Sequence, residues 1–372
     1  MNADYDVAVI GGGLVGAALA WGMARCGPRV CILDEHDVAF RASRANFALI
    51  WVQGKGQGSG AYAELTRRAA TLWQGFADQV EADSGVAVHF QQPGGFAVAL
   101  SDDELRERTE TVNGIQAQAG VGDLFCQTVG RNEVKDAFPT IGDEVVGGIY
   151  CRLDGHCNSL QLLRALHIAL PRHGGQVLSG QVVDRIEPRN GGFTIRTSAG
   201  DVTANKIVLA AGLGNLDLAP QVGLSAPVFP LKGQVIVTEK CKPFMRYPMV
   251  NLRQTNEGGV MIGNSQENVG FDLAARLEVS APMAARAIRV FPALKSVRFV
   301  RTWAGLRIMT PDGRPVYEQS KLYPGAFVAN CHSGVTLASM HALDLAPAIV
   351  AGSLTPATAH FTASRFDVHA AA

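Results

Sequence analysis

The chain has no surplus of charge. Its 33 lysines and arginines equal its 33 aspartates and glutamates, so no bulk attraction to nucleic acid or acidic lipid follows. It has no paired-cysteine spacing either. The seven cysteines (26, 31, 126, 151, 157, 241, 331) are odd in number and scattered, without Cys-x-x-Cys or Cys/His pairs. That removes the usual zinc and iron–sulfur signatures, so no metal is expected, and free thiols suit a reducing compartment. No run reaches the roughly 18 apolar residues of a spanning helix. The opening MNADYDVAVIGGGLVG has aspartates and no basic residue before its apolar run, unlike a signal peptide. A cytoplasmic protein is expected, with peripheral membrane association through a partner left open. No repeat, low-complexity tract or linker interrupts the 372 residues. With 47% hydrophobic and 18% charged residues, they suit a well-packed chain of two closely connected domains.

What is present starts at residue 6. The apolar run DVAVI (6–10) meets Gly11-x-Gly13-x-x-Gly16, and LVGAALAWGMARCG (14–27) has helical spacing up to Gly27-Pro28. RVCIL (29–33) then gives a second strand ending at Asp34, completing a βαβ unit. Gly11 allows a tight turn, Gly13 lets a diphosphate approach the backbone, and Gly16 lets the helix pack closely on the sheet. The N–H groups at Leu14 and Val15 open the helix toward an anion. Asp34, 18 residues after Gly16, suits ribose hydroxyls, and the following Glu35 disfavours a 2′-phosphate. This motif alone does not separate NAD from FAD.

Further along, residues 60–84 read as a helix with Tyr62, Leu65, Ala69, Leu72 and Phe76 on one face. A strand is expected at 94–100, then a charged helix, a strand at 145–151 and an amphipathic helix at 159–174. Alternating strands separated by Gly/Asn turns form a meander ending in KIVLAAG. Strands at GQVIVTE and GGVMIGNS, a helix near 280–291, a strand at 325–331 and a long apolar C-terminal helix complete the chain. Dinucleotide-type elements at the start, middle and end predict interleaved domains. Residues 1–85, 145–225 and 305–372 are assigned to a Rossmann-like dinucleotide-binding domain. Residues 86–144 and 226–304 are assigned to an antiparallel-sheet substrate domain, an α/β plus α+β architecture.

The motifs RASRANFALIW (41–51), DGHCNSLQLLRAL (154–166), VVDRIEP…GGFTIRTSAG…KIVLAAG, PLKGQVIV, VMIGNSQENVGFD, WAGLRIMTPDGRP and ANCHSGVTLA occur in the order seen in one family. The chain resembles the FAD-dependent D-amino-acid oxidase, glycine oxidase and sarcosine oxidase family over nearly its whole length. ASRANFALIWVQGKGQG is most similar to the FAD (beta) subunits of opine oxidase, hydrogen cyanide synthase and D-hydroxyproline dehydrogenase. The resemblance implies non-covalent FAD, since no cysteine occurs in 302–312, where some relatives attach the flavin. It implies that Ser43, Arg44 and Asn46 contact the diphosphate or flavin edge, although an ordinary polar turn reads the same way. It also implies that Val183 places its backbone against adenine, and that Ala211 and Gly212 pass close to the cofactor. Ser333, Gly334, Val335 and Thr336 would start a helix whose N–H groups face the flavin.

In the same family the arginine of Trp-x-Gly-x-Arg binds the substrate carboxylate, and Arg307 holds that position. A fixed guanidinium fork suits a carboxylate; the alternative is a structural arginine paired to a buried acid such as Asp312. His332 is either close to the flavin or a helix cap. Asn251 and Arg253 share a strand face, where Arg253 either holds a second carboxylate or faces solvent. Met261 replaces the lysine that aids oxygen reaction in sarcosine-oxidase-like members, which leans toward a dehydrogenase. The glycines and Lys55 of IWVQGKGQGSG suit a partner contact, a second cofactor's phosphate or a flavin-side loop.

The expected activity is FAD-dependent oxidation of an amine beside a carboxylate in an amino acid or opine, giving an imine that hydrolyses. It would run within a heteromer with an alpha-type subunit and a small iron–sulfur subunit. A free-standing glycine or D-amino-acid oxidase and a non-catalytic electron-relay subunit are the alternatives.

Overall fold

The computed structural model describes residues 3–35, 42–263 and 265–370. Arg41, at the start of the 41–51 motif, and Asn264, within VMIGNSQENVGFD, lie outside them. The main sheet runs in the order Val316–Gln319, Ala326–Asn330, Gly200–Leu209, Tyr5–Ile10, Val30–Asp34 and Gln176–Ser179. The strands from Ala326–Asn330 through Gln176–Ser179 are parallel. Val7, Val9, Ile32, Val208 and Phe327 are almost fully buried, as strands covered on both faces require. Strands Val183–Arg189 and Gly192–Thr197 form an antiparallel meander with Gly200–Leu209.

Helix Leu14–Ala24 carries a continuous run of apolar and small residues because it is buried almost all round. A Cβ on Gly22 would collide with the Ala342 carbonyl, so glycine there permits the close helix contact. Helix Gly60–Ser84 begins with Ser59 capping the Tyr62 N–H and ends at Gly85, in the left-handed conformation. Tyr62, Leu65, Ala69, Trp73 and Phe76 are buried on it. Trp73 occupies the centre that the periodicity assigned to Leu72, and its indole N–H donates to the Thr336 carbonyl at 2.9 Å.

The expected long C-terminal helix is interrupted. Ala338–Met340 is α-helical, His341–Leu345 widens into a π-turn, and Ala346–Val350 resumes the helix. Pro347 has no N–H to donate to residue 343 and its ring crowds that carbonyl, which accounts for the widening.

A second pair of sheets lies in the rest of the chain. One has the order Leu252–Gln254, Gly259–Ile262, Phe229–Lys240 and Phe299–Met309. The other places Gly147–Cys151 between Gly95–Ala99 and Cys126–Gly130. Phe96 links them, donating to the Pro248 carbonyl and accepting from the Val250 N–H. Their shared core includes Phe96, Phe138, Met249 and Phe291. The strand at 147–151 therefore pairs entirely with segments from 86–144.

Candidate active site

The loops at the carboxyl ends of the parallel strands converge, the usual location for a ligand in an open α/β sheet. Gly11 has φ +103°, and a Cβ there would meet the Ala210 carbonyl oxygen at 2.5 Å. A Cβ on Gly16 would collide with the Gly11 carbonyl. Both glycines are dictated by close packing behind the site. Gly13, Leu14 and Val15 reach its surface. Leu14 N–H is capped from another segment, donating to Ser43 Oγ at 2.8 Å. Asp34 is buried and accepts from the Gly12 N–H. His167 donates from Nε2 to the Gly12 carbonyl at 2.8 Å. Burial lowers its pKa, with that bond opposing the shift. The sequence reading missed His167 because only the fold brings its helix to the glycine loop.

These loops open into a cavity of about 290 Å³ whose wall includes Gly13, Ser43, Asn46, Gly212, Asn330 and residues 331–336. Residues 334–337 form turns, and the helix begins only at Ala338. The expected helix start therefore lies a turn too early. Thr336 Oγ1 accepts from Trp51 N–H at 3.1 Å and Ser333 Oγ bonds Tyr62 OH at 2.8 Å, so side chains hold this turn open. Among the described residues, no backbone acceptor takes the N–H of Gly334, Val335 or Thr336.

The segment WAGLR forms the opposite wall. On strand Phe299–Met309, Trp303, Gly305 and Arg307 share one face by strand alternation. Trp303 donates from its indole to the Ala45 carbonyl at 3.2 Å. A Cβ on Gly305 would collide with Ala45, so the strand presses on this segment and carries Arg307 to the cavity. Arg307 Nη1 donates to the Lys232 carbonyl at 3.3 Å. Burial lowers the guanidinium pKa, opposed by Glu267. Asp312 pairs instead with Arg365, at 2.9 Å, so Asp312 is not the partner of Arg307. Gly233 faces Arg307, and a Cβ there would collide with the guanidinium.

His332 and Lys55 complete this end of the cavity. Burial pushes the His332 imidazole down to about 3, with repulsion from Lys55 and Arg307 adding to it. The ring is neutral near pH 7. Lys55 is also pushed down, to about 8, first by burial.

Other candidates lie elsewhere. Arg253 neither lines the cavity nor faces solvent. It is buried, donating from Nε to the Phe47 carbonyl at 2.6 Å and from Nη2 to Met261 Sδ at 2.9 Å. Its register partner across the hairpin is Met261, which draws the guanidinium inward, and burial lowers its pKa to about 10. Asn251 and Met261 are also absent from the wall, where Val250 stands instead. Glu35 is exposed and Arg44 half-buried. Ala211 lies directly behind the loop, and Val183 packs beside the second apolar cluster. None of these four is on the wall. His156 is buried beside Gln91, away from the cavity.

The protein leaves polar atoms unmet at this wall. Asn46 Oδ1 and Asn330 Nδ2 are buried without partners, although each orphan costs about 1–3 kcal/mol. Their amides, the glycine loop and the unpaired N–H groups of 334–336 fit a dinucleotide with a polar ring edge. Asn330 escaped the sequence reading, yet one polar residue in the apolar strand GAFVANC marks it.

The chain belongs to the DAO family of FAD dependent oxidoreductases, whose model matches residues 6–347. It is 44% identical over 368 residues to one of the opine oxidase subunits of Agrobacterium tumefaciens (strain Ach5), covering 99% of each chain. It is 42% identical to the corresponding opine oxidase subunit of Rhizobium meliloti, again with 99% of each covered. The structure of glycine oxidase from Bacillus cereus ATCC 14579 superposes with a TM-score of 0.86 at 24% identity, over 96% of this chain and 100% of that one. The cofactor is FAD.

Proposed function

We propose that this chain oxidises the C–N bond of an opine or related amino acid whose nitrogen stands beside a carboxylate. The observation that carries this reading is Arg307, a half-buried guanidinium on the cavity wall with no carboxylate partner among the described residues. A substrate carboxylate would accept from its fork bidentately and fix the adjacent α C–H. Bound FAD would supply the acceptor for the hydride leaving that carbon. The substrate nitrogen loses one proton, so two electrons and two protons leave the C–N unit and an imine remains. Water then adds, giving a keto acid and an amine. Gly13, Ser43, Asn46 and residues 333–336 would hold the cofactor, while neutral His332 and the apolar wall limit water.

The identity to two proteins that are each named as one subunit of an opine oxidase supports work within a heteromer. We assign the partners as an alpha-type subunit and a small iron–sulfur subunit. Phe299, Val300 and Leu277, more than 60% exposed, are apolar surface that a partner would cover. No helix among the described residues is long and apolar enough to cross a membrane; the proposed compartment is the cytoplasm.

The test is an anaerobic visible spectrum of the FAD-loaded protein titrated with octopine, nopaline, glycine, sarcosine and D-proline. Bleaching by an opine supports the reading. Bleaching by glycine alone would replace it with a glycine oxidase, and bleaching that persists in Arg307→Ala would remove the clamp.

A further inference from the structure

A site for one carboxylate needs one cation, and this cavity presents two. Lys55 lines the same wall as Arg307, and among the described residues its ammonium has no carboxylate within ion-pair distance. The nearby acids are already engaged. Asp154 accepts from the Val52 N–H at 2.5 Å and from Gln53 Nε2 at 2.6 Å. Glu267 pairs with the buried Lys232 at 3.1 Å. Neither neighbouring side chain supplies an anion, because burial pushes the Cys331 thiol up to about 12 and the His332 imidazole down to about 3.

The segment carrying Lys55 is fixed. Lys55 N–H donates to the Val52 carbonyl at 3.1 Å. Gly56 follows at φ +88°, packed so closely on Ala63 that a Cβ would collide. Gln118 donates to the Gly56 carbonyl at 2.9 Å. The lysine is also set apart from the diphosphate end. Its electrostatic neighbours are Cys331, Arg307 and Asp154, whereas Arg44 is the cation acting on His167 and so on the glycine loop.

We infer that Lys55 determines substrate specificity by binding a second carboxylate while Arg307 holds the first, so that the site selects secondary amines flanked by two carboxylates. This rests on the carboxylate-clamp reading of Arg307 above. A half-buried cation with no anion beside it loses part of its hydration without compensation. A monocarboxylate leaves Lys55 bare, and a dicarboxylate neutralises both cations. The second carboxylate is thus assigned to Lys55 and not to Arg253, which donates to Phe47 and Met261 and does not line the cavity.

The test is calorimetric titration of the FAD-loaded full chain, with any subunits that copurify, using thiodiacetate and (methylthio)acetate. Each carries sulfur in place of the amine nitrogen, so neither has a C–N bond to oxidise, and they differ by one carboxylate. The wild type is expected to bind the diacid about tenfold tighter or better. Lys55→Met should erase that preference while keeping FAD content and the affinity for (methylthio)acetate, and Lys55→Arg should retain most of it. Equal wild-type affinities overturn the inference, as does a preference that survives Lys55→Met. Loss of FAD from Lys55→Met would assign the lysine to the cofactor and also overturn it. Failure of the underlying reading shows separately, as Arg307→Ala leaving (methylthio)acetate affinity unchanged. Binding of neither ligand overturns both.

Discussion

Arg307 and Arg253 lie on opposite edge strands of the same four-stranded sheet, and burial lowers the pKa of both. Their fates differ. Arg253 is consumed by the Phe47 carbonyl and Met261 sulfur. Arg307 keeps one 3.3 Å bond to a carbonyl and otherwise faces the cavity. Strand alternation sets which face a side chain takes, but register neighbours decide whether its donors remain free. A glycine stands beneath Arg307 and a polarisable sulfur opposite Arg253.

The largest expected effect follows from that difference. Arg307→Ala should lower kcat/KM for a carboxylate substrate by about a thousandfold, with little change in thermal midpoint because only one long bond is lost. Arg307→Lys should recover little, since an ammonium lacks the paired donors. Steady-state kinetics beside a melting curve checks both. A large stability loss with modest kinetic change would make Arg307 structural and erase the contrast.

Arg253→Met tests the other side. Removing its Nε leaves the Phe47 carbonyl without that donor, a cost of about 1–3 kcal/mol. Urea denaturation should register that loss while KM hardly moves. A KM effect without a stability effect would return Arg253 to the substrate site.

The same contrast explains what could be read from the sequence. Gly11, Gly16 and Asp34 are local: a strand, a turn and a helix within one βαβ unit define them, and backbone packing requires the glycines. Trp303-x-Gly305-x-Arg307 was legible as a motif with period-2 spacing. The role of Lys55 was not, because a glycine-rich loop has no periodicity to orient it and Asp154, which fixes the preceding residues, is about 100 positions away. His167 and Asn330 depend equally on contacts between distant segments. Arg253 looked available because a two-residue spacing shows neither that its strand ends at Gln254 nor that Met261 lies opposite it. The broken C-terminal helix was signalled by Pro347 within the apolar periodicity.

A smaller effect sharpens the comparison by pH. Lys55, pushed down to about 8 from 10.5 by burial, is cationic below that value and neutral above it. Dicarboxylate affinity should therefore fall as pH rises through about 8. Asp154, Arg307, Cys331 and His332 are the ionisable groups around it; the thiol at about 12 and the imidazole at about 3 do not titrate there. Calorimetry between pH 6.5 and 9.5 in an Asp154→Asn background, which removes the Asp154 titration near 7, should show the step with Lys55 present and none in Lys55→Met. A step that persists in the variant would assign the titration to another group.

The smallest effect concerns the segment beneath Lys55. Burial pushes the Asp154 carboxyl up to about 7, against the hydrogen bonds from Val52 and Gln53 that favour its ionised form. The folded chain thus holds this proton more tightly than the unfolded chain does. The resulting stabilisation is complete below about pH 4 and is lost as pH rises through 7. In Asp154→Asn an amide oxygen can still accept from Val52, but no proton is gained or lost. The thermal midpoint of wild type should therefore fall between pH 4 and 7 by more than that of Asp154→Asn. If the two curves run parallel, Asp154 does not titrate in that window, and its carboxylate is ionised while it holds the Lys55 segment in place.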